Sequence, residues 1–111
     1  FGLLFETLAI RGLRVYADAL NGQVYHYRDK NGLECDAVVH LRNGNYGLIE
    51  IKLGGETLIE SGADTLKKLA NKIDTDKLPA PSFLMVLTGM GTYSYQREDG
   101  VLVVPISSLK N

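Results

Sequence analysis

Cysteine is almost absent from this chain. The one present, Cys35, has no partner for an internal disulfide, which points to a reducing, cytoplasmic setting. Long apolar runs are missing as well: the longest is the short stretch 83–87, and a bilayer-crossing helix needs about 20 such residues. No secretory signal is visible. Neither sign of charge dominates, since twelve Lys and Arg face thirteen Asp and Glu for a formal charge of -1. No general positive field draws phosphates in, so a nucleic-acid role has to rest on a local site. The initiator methionine is lacking too, and the opening Phe1-Gly2 reads as the start of a piece cut from a longer protein. What is present is ordinary: 111 residues, 45% apolar and 23% charged, enough for a single domain over 1–111 with its own core.

Residues 1–20 hold no proline and show helical spacing, with Phe5, Leu8, Ala9, Gly12, Leu13, Tyr16 and Leu20 on one arc. Thr7, Arg11, Arg14 and Asp18 gather opposite, while Glu6 falls between Leu13 and Ile10 on the apolar side. Asn21-Gly22 ends the helix. Three strands follow at 23–28, 33–41 and 46–53, joined by Asp29-Lys30-Asn31-Gly32 and Arg42-Asn43-Gly44. A second helix is expected from Ser61, where Ser61 and Asp64 resemble a capping box ahead of the stripe Leu66, Leu69, Ala70 and Ile73. Pro79 and Pro81 then precede a strand at 82–88, apolar enough to be covered on both faces. A last hairpin is expected from 92–96 and 101–104. Short links make the first three strands an antiparallel meander, and the helix between 46–53 and 82–88 makes those two strands parallel. The expected fold is α/β: an α-β-β-β-α-β core, a mixed sheet flanked by helices, with a small β hairpin at the end.

Asp36, Glu50 and Lys52 are the candidate catalytic residues. Glu50 and Lys52 leave one face of their strand. A three-residue loop Arg42-Asn43-Gly44 pairs Leu41 with Asn45 and sets Asp36 opposite Glu50, with Glu34 opposite Lys52. A two-residue Asn43-Gly44 turn shifts the register by one and sends Asp36 to the other side. Both turns stay open at this stage; the longer loop is preferred because it keeps Cys35, Ala37 and Val39 on the face of Ile49 and Ile51. Two facing carboxylates repel unless a cation lies between them. A hard dication such as Mg²⁺ takes oxygen ligands and needs only one or two protein carboxylates plus a substrate phosphate. Glu6 then completes the site or polarises a water, and Lys52 holds the attacking water or balances charge on a transferring phosphate. Against this stands the bland reading, in which Glu-Ile-Lys is a solvated strand pair, Glu34 and Asp36 are polar residues of an exposed strand face, and Glu6 snorkels to solvent or caps a backbone amide. His26 and His40 lack a partner at metal-ligand spacing, Cys35 reads as core, and Lys67-Lys68 as a solvated helix face. The tyrosines read as amphipathic filler, and Gly89-Met90-Gly91 is too short for a phosphate cradle.

A helical Glu, an Asp on the second strand and Glu-x-Lys on the third resemble the PD-(D/E)XK nuclease superfamily, whose core is restriction-endonuclease-like. More narrowly, Tyr27-Arg28-Asp29-Lys30-Asn31-Gly32-Leu33-Glu34-Cys35-Asp36 and Leu48-Ile49-Glu50-Ile51-Lys52 resemble the C-terminal domain of prokaryotic AAA+ type ATPases. Gly2-Leu3-Leu4-Phe5-Glu6 is similar to the start of that domain and Val104-Pro105-Ile106 to its ending. The resemblance implies Asp36 and Glu50 as metal ligands, Lys52 as the catalytic lysine and Glu6 as the helical acidic residue, also near the metal. It implies Mg²⁺ or Mn²⁺ as cofactor, DNA or RNA as substrate, and the remainder of its own ATPase chain as partner. Cys35 stands where the superfamily often has proline. Relatives that keep such a fold as inactive regulatory or interaction domains define the alternative function.

Overall fold

The computed structural model describes residues 2–28, 30, 32, 34–73 and 75–109, with side chains from Leu4 onward. Phe1, the turn residues Asp29 and Asn31, and Leu33 at the expected head of the second strand lie outside the described residues. The order is α1 (Gly2–Ala19), β1 (Gln23–Arg28), β2 (Glu34–His40), β3 (Tyr46–Lys52), α2 (Glu56–Lys72), β4 (Phe83–Thr88), β5 (Tyr95–Gln96), β6 (Leu102–Pro105) and a short 3₁₀ helix, Ile106–Leu109. One six-stranded mixed sheet runs β1-β2-β3-β4-β6-β5. The meander is antiparallel, whereas β3 with β4 and β4 with β6 pair parallel, and β5 closes the end as a short antiparallel strand.

The two helices cover opposite faces of this sheet. On α1, Ala9, Leu13 and Ala17 are buried against Ala37, Val39, Ile49, Ile51 and Leu87. On α2, Ala63, Leu66 and Leu69 are buried against Cys35, Tyr46, Leu48 and Val86. Only the stripe centred on Ala9, Leu13 and Ala17 is fully inside; Leu8, Tyr16 and Leu20, expected on the buried arc, are exposed. Helix α2 begins at Glu56, five residues before Ser61. Gly55 caps it at φ 91° with no side-chain cap. Ser61 is therefore interior, and its carbonyl accepts from the Thr65 hydroxyl at 3.1 Å. Lys67, expected to be solvated, bridges to Asp99 at 2.9 Å and to Asp64 at 3.5 Å, which ties α2 to the turn before β6.

Two local features position the strands that matter. The three-residue form of the β2–β3 loop is the one adopted: the Leu41 N–H donates to the Asn45 carbonyl at 2.8 Å and the Gly44 N–H to the Leu41 carbonyl at 3.0 Å. Gly44 sits at φ 90°, the left-handed position such a loop requires. The second feature is an irregularity in β2. Tyr25 pairs with Val38 but Tyr27 with Cys35, so β2 carries one residue more than β1 across that interval, as in a β-bulge. This reverses the expected side for Cys35. It leaves the face of Ala37 and Val39 and packs beneath α2.

Candidate functional site

The β2–β3 ladder runs regularly from His40↔Tyr46 to Ala37↔Ile49. The next pair in that register is Asp36 with Glu50, at the bulge. Side chains take over the hydrogen bonding there. The Asp36 N–H donates to the Glu50 carboxylate at 2.9 Å, and the Ile51 N–H donates to the Asp36 carboxylate at 2.8 Å. Each acid thus satisfies a backbone donor on the opposite strand, which would otherwise be a costly orphan. Glu50 and Lys52 both lie under α2, close to Gly62. A Cβ at Gly62 would stand 3.4 Å from Lys52 Cγ and 3.5 Å from Glu50 Cβ. The bare glycine lets the helix come down over the two side chains. Reading the sequence passed over Gly62, although an isolated glycine inside an amphipathic helix is itself a signal of close approach.

Glu50 is 6% exposed. Burial pushes its carboxyl up to about 7, and the neighbouring Asp36 carboxyl pushes in the same direction. The Asp36 N–H and the Lys52 ammonium oppose the rise without cancelling it. The pair is therefore a site where negative charge is held at a cost. Cys35 lies beside it, its Sγ 3.1 Å from the Ala37 carbonyl and 3.3 Å from the Ile49 carbonyl. Burial raises this thiol to about 11, so at neutral pH it is a core thiol and not a nucleophile.

A family model described as a domain of unknown function, DUF4143, matches residues 1–109. The chain belongs to this DUF4143 family. No curated protein and no solved structure matches it significantly. In this DUF4143 chain the fold brings Asp36, Glu50 and Lys52 together, but it does not add Glu6 to them. Glu6 is exposed on α1, in a shallow groove with Ile10, Arg11 and Arg14. The adjacent Phe5 does reach the end of the sheet where β3 finishes, since a Cβ on Gly89 would meet its ring at 3.0 Å and the Leu53 carbonyl at 3.3 Å. Glu6 is thus at the Lys52 end of the DUF4143 sheet, on the helix covering the other face. Among the described residues, no group of three or more His, Cys, Asp and Glu side chains is placed to hold a metal ion. His26 and Arg28 instead bridge to Glu34 at 3.4 and 3.2 Å. No helix among the described residues is long and apolar enough to cross a membrane.

Proposed function

We propose that this domain is a metal-dependent phosphodiester hydrolase, a nuclease-like module of an AAA+ type ATPase acting on DNA or RNA in the cytoplasm. One observation carries the reading: the β2–β3 register that interlocks the carboxylates of Asp36 and Glu50, with Lys52 two residues on and on the same face as Glu50. The donor set fits a hard dication, Mg²⁺ or Mn²⁺. Its ligands would be carboxylate oxygens, and each acid bonds a strand N–H through one of its oxygens. A doubly positive ion would also offset the burial and the neighbouring Asp36 charge that raise Glu50.

Asp36 and Glu50 would hold the ion, and a bound dication would polarise a phosphoryl oxygen of the substrate. The bulge fixes the two acids through main-chain hydrogen bonds, so they need little rearrangement on binding. Lys52 would hold a water for attack on phosphorus or balance the charge that develops on the phosphate oxygens. Glu6, exposed on α1 over the other face of the sheet, stands outside this set.

The test is a cleavage screen of the full-length parent on single-stranded, duplex and branched DNA and RNA, with Mg²⁺ or Mn²⁺. Metal-dependent cleavage is expected, abolished in Asp36→Asn and Lys52→Ala while circular dichroism stays unchanged, and retained in Glu6→Ala. The second reading is a catalytically inactive regulatory or interaction domain of the same ATPase. Its support is that both carboxylates already serve the strand backbone and that no third ligand-type side chain joins them among the described residues. Calorimetry showing no uptake of millimolar Mn²⁺ by the folded domain would decide for it.

A further inference from the structure

The face of the sheet under α2 holds a second feature, at the opposite end of β3 from the acidic pair. Tyr46 opens β3, four residues before Glu50, and at about 3.3 Å per residue this places it about 13 Å from that acid. Here α2 ends and the chain turns back toward β4, leaving a cavity of about 400 Å³ between the helix end and strands β1 to β3. That size falls within the roughly 300–1,000 Å³ of small-molecule sites.

The cavity is built from two kinds of groups. Tyr46, Leu48, Leu69 and Ile73 supply an apolar body. Lys72 and Lys77 supply positive charge, and among the described residues none that line it is an acid. Among the described residues neither lysine takes part in an ion pair, although Lys67, one and a half turns earlier on α2, has two. The far wall is pinned. The Tyr46 hydroxyl donates to the Pro79 carbonyl at 2.7 Å, and the Ser82 N–H donates to the Tyr46 carbonyl at 2.8 Å. Tyr46 thus ties the chain between α2 and β4 to the start of β3 at two points, Pro79 and Ser82.

We propose that this cavity binds a small amphipathic anion: an apolar body seated on Tyr46, Leu48 and Leu69, with a carboxylate facing Lys72 and Lys77. Charge complementarity selects the class. Both lysines are exposed, and an anionic head gains charge-assisted contacts with them that an uncharged occupant of the same space lacks. None of the residues involved belongs to the acidic pair, so the inference stands or falls apart from the hydrolase reading.

Octanoate and its neutral counterpart octanamide are suitable probes, titrated into the ¹⁵N-labelled chain and followed by amide chemical shifts. Saturable octanoate binding is expected, with shifts centred on His40, Tyr46, Leu69 and Lys77, and with octanamide weaker by roughly tenfold or more. The double variant Lys72→Gln, Lys77→Gln should lower octanoate affinity to that of octanamide without changing octanamide's own. Leu78 lines the mouth and is 57% exposed, so Leu78→Asp should spare the fold and weaken octanoate by adding a like charge. Equal binding of the two probes would overturn the proposal in favour of an uncharged apolar occupant, such as a side chain of a protein partner. Absence of saturable shifts at millimolar octanoate, or shifts confined to other surfaces, would overturn it outright.

Discussion

At the scale of single residues, Glu50 is the point of tension. Its carboxyl is raised from an ordinary 4.5 to about 7, first by burial and then by Asp36. A group that binds its proton more tightly in the folded chain makes stability highest below its unfolded value. That contribution is lost as pH rises from about 4.5 to about 7 and stays lost above it. Glutamine keeps an oxygen to accept the Asp36 N–H and cannot ionise. In a chelator, Glu50→Gln is therefore expected to be more stable than the parent at pH 8, by on the order of 1 to 3 kcal/mol, with the advantage vanishing near pH 5. Urea denaturation across that range reads the difference. An advantage that persists unchanged at pH 5 would mean that ionisation of this acid is not its source. The pairing of Asp36 with Glu50 was legible beforehand because strand alternation and a single loop decision determine it. The shared work of the two carboxylates as backbone acceptors was not, since it depends on a bulge one residue long.

At the scale of elements, close approach governs what substitutions the sheet tolerates. Gly47 in β3 lies beneath the Phe83 ring of β4, and a Cβ there would fall on that ring. Gly47 and Phe83 are partners in the parallel ladder, so neither strand can move away without breaking it. Gly47→Ala is expected to cost about 1 to 3 kcal/mol in urea denaturation, as overpacking does. Phe83→Leu, mild by itself, should recover part of that loss in the double variant, giving a coupling energy of opposite sign to the single cost. Simple additivity of the two changes would show that the ring does not confine the strand there. The same local logic explains which element limits were readable. Alternation and turn residues marked β1, β3 and β4 to within a residue. The start of α2 was misplaced because Ser61 and Asp64 imitate a cap, whereas the helix begins at Glu56 behind Gly55, whose positive φ leaves no side-chain signature. The exposure of Leu8, Tyr16 and Leu20 on α1 was equally hidden. Periodicity gives the direction of a helix's apolar arc, but the width actually covered depends on how much sheet lies beneath it.

At the scale of the whole molecule, near-neutrality restricts how the domain meets a polyanion. With a formal charge of -1, it has no general field to gather phosphates and release many counterions, so any affinity must arise at a few positions. The acidic pair cannot supply that affinity by itself, because bare carboxylates repel phosphate; under the hydrolase reading a dication on Asp36 and Glu50 reverses the local sign. Two linked outcomes are expected for a fluorescent oligonucleotide followed by anisotropy. In chelator, binding to the isolated chain should be immeasurable at micromolar protein. With millimolar Mn²⁺ it should appear, vanish again in Asp36→Asn, and weaken with a log K against log salt slope no steeper than about -2, the mark of two or three phosphate contacts. A slope several times steeper, or binding that survives chelation, would place recognition on a basic surface and remove the acidic pair from it. Under the hydrolase reading, charge balance at this scale makes a bound dication the switch for substrate affinity as well as for chemistry.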